Sequence, residues 1–109
     1  MADTPKVLGQ LNPSATTLDD LYVVPAATNI VSSSIVVCNT GGTDTTFRIS
    51  IAIVGAADNI KQYIYYDVPI SAKDTFIATI GITLEATDKI RVYAGNANLT
   101  FNLFGTEIA

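Results

Sequence analysis

Residues 47–53, Phe-Arg-Ile-Ser-Ile-Ala-Ile, place an apolar side chain at every second position. Successive side chains of an extended strand point to opposite faces, so a period of two specifies a half-buried β-strand. Phe47, Ile49, Ile51 and Ile53 are expected on the buried face, with Arg48, Ser50 and Ala52 on the other. The pattern recurs along the chain. Residues 30–38 read as a longer strand with a serine-rich middle, Ile35 and Val37 opposing Val36 and Cys38. Residues 21–24 form a short strand stopped by Pro25, which has no N–H for a central ladder. In residues 63–69, Ile64 and Tyr66 are expected on one side and Tyr63, Tyr65 and Asp67 on the other. Phe76, Ala78, Ile80 and Ile82 share a face, with Gly81 marking a bulge or a close backbone approach. Residues 89–94 and 99–104 flank the turn Gly-Asn-Ala-Asn and read as a hairpin.

Composition agrees with this pattern. Ile (13), Val (9) and Thr (14) make 36 of the 109 residues β-branched, and branching at Cβ is best accommodated in extended backbone. The expectation is an all-β chain of seven to eight strands, arranged as an antiparallel two-sheet β-sandwich. A jelly roll is one form of it, and a small closed barrel satisfies the same periodicity. The length is that of one domain. Residues 20–109 are expected to form the sandwich, and residues 1–19 an extended N-terminal arm punctuated by Pro5, Gly9 and Pro13. Val7, Leu8 and Leu11 give that arm an apolar side, so it lies either on the edge of its own sheet or on a neighbouring subunit.

The chemistry available is narrow. No histidine is present, which excludes Ser-His and Cys-His nucleophilic arrangements. The single cysteine, Cys38, excludes an internal disulfide and a cysteine-built zinc site, and it reads as a small buried hydrophobe. The acidic residues fall mostly in or beside turns, where carboxylates bond the backbone, which leaves little for paired-carboxylate catalysis. No calcium-loop or phosphate-loop pattern occurs. The expectation is therefore a non-enzyme with no cofactor and no metal site.

Charge bears on partners. A net charge of −4, with the six basic residues scattered, disfavours nucleic acid and anionic membranes. No apolar stretch is long enough for a spanning helix, and the first residues lack the pattern of a signal peptide. With 49% hydrophobic and 15% charged residues, copies of the chain repel one another weakly, which favours self-association. Tyr63, Tyr65 and Tyr66 offer aromatic surface for a subunit interface or, alternatively, for stacking a sugar on an exposed Tyr63 or Tyr65. Arg48 and Arg91, outward on their strands, are expected to pair with aspartates of a neighbouring copy or to be solvated.

The order of segments VLGQLNPSATTLDDLYVVPA, SSIVVCNTGG, TTFRISIAI, KQYIYYDVPI, DTFIATIGITL and DKIRVYAGNANLTFNLFG resembles small capsid-associated or tail-associated β-sandwich proteins of tailed bacteriophages. The resemblance covers residues 7–105 and contains no catalytic motif. It implies a virion structural protein, assembled in the bacterial host cytoplasm and repeated as a homotrimer or larger symmetric array. Its partners would be major capsid, neck or tail proteins, with residues 1–19 as the attachment arm. Capsid decoration, neck or collar, and tail or fibre-base positions all fit.

Overall fold

A computed structural model describes residues 3–109. These residues form nine strands: β1 (Asp3–Leu11), β2 (Leu18–Val23), β3 (Asn29–Asn39), β4 (Thr45–Ala52), β5 (Tyr63–Ile70), β6 (Thr75–Ala78), β7 (Ile82–Leu84), β8 (Lys89–Ala94) and β9 (Leu99–Ile108). Every pairing is antiparallel. One sheet has the order β1-β9-β3-β6, with β7 also on β3, and the other β2-β8-β4-β5.

With β6 and β7 counted as one interrupted strand on β3, the chain pairs first with last, second with second-last, and so inward to β4 with β5. That nesting is a jelly roll, the sandwich form of two Greek keys. The interruption falls where β3 bulges at Ser33, and the Ile82 N–H donates to the buried Ser32 hydroxyl at 3.3 Å.

The inner faces are those the alternation specifies. Phe47, Ile49, Ile90, Val92, Leu99, Phe101 and Leu103 are fully buried between the sheets. Phe47 sits at the aromatic centre, 5.1 Å from Phe76 and 6.3 Å from Phe101 between ring centroids. Full burial of side chains of this size stabilises by roughly 1.5–3 kcal/mol each. Ile53 departs from the expectation. The ladder ends at Ala52, and a 3-10 turn over Ile53–Gly55 leaves Ile53 69% exposed.

The N-terminal segment is an edge strand of the five-stranded sheet. β1 pairs with β9 from Asp3 opposite Ile108 to Leu11 opposite Phe101, with a bulge between Val7 and Gly9. Leu8 is buried in the core and Leu11 packs against it, while Val7 faces outward. The Asn12 amide then donates to the carbonyls of Ala97 and Leu99, at 3.0 and 2.7 Å. Of the two placements open to this segment, residues 3–11 take the edge of their own sheet. β2 runs through the expected boundary between residues 19 and 20.

On the outer face of the five-stranded sheet the central cross-strand rows are short and uncharged. One row runs Pro5, Thr106, Val31 and Thr83, and the next but one Gln10, Asn102, Val36 and Ile77. Val7 lies opposite Phe104 between them.

Candidate functional site

The outer face of the four-stranded sheet carries Arg48, Tyr63 and Arg91, three of the side chains singled out by sequence. Arg48 on β4 lies opposite Tyr93 on β8. Its guanidinium carbon is 4.3 Å from the centroid of the Tyr66 ring and 4.4 Å from that of Tyr93. A guanidinium over an aromatic face is held by the ring quadrupole. Arg48 Nε also donates to Asp67 Oδ1 at 2.6 Å, a bond that pushes the guanidinium further up from its ordinary pKa. The expected aspartate partner is therefore in the same chain.

β5 is positioned by a distortion that no alternation reveals. Phe47 pairs with Val68 and Ile49 with Tyr65, so three steps on β5 face two on β4. Asp67 absorbs the extra residue at φ +50°, a left-handed conformation that aspartate tolerates better than most residues. A second shift lies between Ile49 and Ser50. These bulges overturn the expected faces. Tyr65 turns inward against Phe47 and Phe76, with centroids 6.4 and 5.3 Å away. Tyr66 takes the outward place beside Tyr63. Their rings meet edge to face at 89°. The Tyr63 hydroxyl donates to Asp58 at 2.9 Å, and its pKa is raised, first by burial and then by this bond.

Arg91 is the second clamp. Its guanidinium donates to Asp20 Oδ1 at 3.3 Å, to the Ala56 carbonyl at 2.8 Å and to the Gly55 carbonyl at 3.2 Å. Three acceptors fix the fork, with the Asp20 carboxylate again within the chain, and draw residues 53–62 onto the outer face of this sheet. That cover explains why Ser50 and Ala52, outward by register, are fully buried. Ser50 Oγ has no hydrogen-bond partner among the described residues.

Asp88 fixes the same loop from the other side. It is buried, and its two oxygens accept the Val54 and Glu85 N–H groups, both at 2.9 Å. Other turn carboxylates behave alike: Asp44 accepts from Ala72 and Asp74 from Thr75. At the far end of the loop, Asn59 and Gln62 form a reciprocal capping box around a 3-10 turn over Ile60–Gln62.

The loop so held presents Ile53, Val54 and Ile60 to solvent at 69, 70 and 70% exposure. Grooves of about 300 and 350 Å³ border it, both lined by Ile51 and Ile53, one continuing to Lys61 and Gln62 and the other to Thr83 and Asp88. Sequence reasoning missed this cluster, because alternation placed Ile53 inside and gave Val54 and Ile60 no role. The signal available was three aliphatics within the break Ile-Val-Gly-Ala-Ala-Asp-Asn-Ile. Val7, Leu8 and Leu11 lie in the other sheet, apart from this assembly. The arrangement is one of adhesion: aliphatic tips on a fixed backbone beside a neutralised, aromatic-covered face.

A comparison with protein-family models and with curated proteins finds no match for this sequence.

Proposed function

We propose that this protein is a non-enzymatic structural subunit of a tailed-bacteriophage particle, repeated in symmetric copies as a homotrimer or larger array. Its place is on the capsid as a decoration protein, or in the neck or tail. It acts by surface contact, with the jelly-roll body as a rigid block and partner proteins of the capsid, neck or tail bound through exposed apolar side chains.

The observation that supports this reading best is the loop at residues 53–60. Exposed aliphatics at about 70% on a loop tied by Arg91, Asp88 and a capping box lose little conformational freedom on docking. Repetition around a symmetric particle would multiply such contacts. Co-sedimentation of the purified protein with tailed-phage capsids and with tails tests the reading. Binding to one of them, lost in Ile53→Asp combined with Ile60→Asp, is the expected result. A folded wild-type protein that sediments with neither would overturn it.

A further inference from the structure

The two broad faces of the molecule differ in kind. The outer face of the four-stranded sheet is closed by its own chain: residues 53–62 lie on it, and Arg48, Asp67, Arg91 and Asp20 pair there. The outer face of the five-stranded sheet is open. Every residue of its central rows is exposed or half-buried, and Ile77 is 64% exposed. Between the row of Pro5 and Val31 and the row of Gln10 and Ile77, no Asp, Glu, Lys or Arg takes an outward place among the described residues.

We propose that this face packs against the same face of a second copy across a two-fold axis. Charge argues for a copy of the same chain. Each copy carries a net charge of −4, and a pairing of identical surfaces brings like charges together unless the surface is neutral. The central rows have no charge to oppose, and Asp3, one row beyond Pro5, lies at the margin of the face. A basic or acidic partner would gain nothing from those rows.

Size and shape agree. The molecule spans 45 × 27 × 20 Å, and the five-stranded sheet is built on strands of up to 11 residues. Covering a large part of its outer face reaches the roughly 800 Å² per partner that a specific pair requires. Two sheets stack at about 10 Å with interdigitating side chains, which suits Val31, Val36, Ile77 and Phe104 on a pleated surface. The polar groups cost little to cover, since Gln10 already donates to Asn102 at 2.7 Å within the face. The inference rests on the larger-array form of the self-association reading, since a homotrimer alone contains no two-fold axis, and names the surface that carries it.

Sedimentation equilibrium of the full chain, from micromolar to millimolar concentration, tests the pairing. The wild type is expected to form a two-fold unit. Val31→Lys combined with Ile77→Lys should weaken that association by at least about a hundredfold, because like charges would then meet inside the contact. Both side chains are exposed in the single chain, so circular dichroism and melting should show the variant folded. If the double variant does not fold, Ile77→Lys alone gives the same reading. A strictly monomeric wild type, or a folded variant that associates unchanged, overturns the pairing. A monomer that still binds capsids or tails defeats this inference alone, and a dimer that binds neither defeats only the particle reading.

Discussion

The phenol of Tyr22 in β2 donates a 2.7 Å hydrogen bond to Glu107 in β9, joining the two sheets through a polar contact. Lys6 Nζ meets the other oxygen of the same carboxylate at 3.0 Å. The Tyr22 bond, and then that of Lys6, hold Glu107 below the ordinary glutamate value of 4.5. Burial, and then the Glu107 bond, push Tyr22 well above the ordinary tyrosine value of 10.0.

These shifts set a pH window for stability. Glu107 titrates lower when folded, so its contribution is present above about pH 4.5 and is lost as pH falls through the folded value. Tyr22 titrates higher when folded, so its contribution is complete below pH 10.0 and is lost as pH rises towards the folded value. Tyr22→Phe removes the bond and is expected to lower the melting temperature most at neutral pH. The difference from wild type should shrink in acid as Glu107 protonates. Thermal melts across the acid range check this, and a difference independent of pH would contradict it.

Arg48 should matter more for what it covers than for its ion pair. Its carboxylate partner Asp67 is 45% exposed, and exposed pairs contribute roughly 0–1 kcal/mol. The guanidinium between Tyr66 and Tyr93 adds a stacking contribution that salt screens less. A double-mutant cycle of Arg48→Gln with Asp67→Asn is expected to give a coupling below about 1 kcal/mol that falls with added salt. Arg48→Ala should cost more, on the order of 1–2 kcal/mol, in urea denaturation.

The core was legible because the alternation at 47–52, 89–94 and 99–104 is uninterrupted, and a period of two has one solution. β5 was legible as a strand but its faces were not, because Asp67 at φ +50° breaks the period from within and exchanges the faces of Tyr65 and Tyr66. Nothing local in Tyr-Ile-Tyr-Tyr-Asp announces that bulge. Pro5 and Gly9 hid β1, yet an edge strand needs its N–H groups on one side only. The long-range pairings Arg48–Asp67 and Arg91–Asp20 follow from register, which sequence does not specify.

Gly9 is the close approach between the two sheets. A Cβ there would lie 2.5 Å from the Leu21 carbonyl oxygen, a backbone atom of β2 that cannot swing aside. Gly9→Ala must push β1 from β2 where Leu8 and Leu21 enter the core. The expected cost is about 1–3 kcal/mol, the usual range for overpacking. Chemical denaturation measures it, and a neutral result would show that β1 shifts freely.

Val54 combines conformational strain with exposure. It sits at φ +55° and ψ +28°, where a β-branched side chain is disfavoured by roughly 1–2 kcal/mol. The Val54 N–H to Asp88 bond helps hold it there while its side chain is 70% exposed, so the fold gains little from valine at this position. Asparagine enters the left-handed region more readily and keeps the N–H. Val54→Asn is therefore expected to raise stability by about 1 kcal/mol in urea denaturation. If the loop is the contact with capsid, neck or tail proteins, the same variant should co-sediment with particles less well than wild type. Greater stability with weaker binding would assign the valine to adhesion, because the side chain would then be retained against the preference of its own backbone. Greater stability with unchanged binding would remove Val54 from the contact and leave Ile53 and Ile60 to carry it.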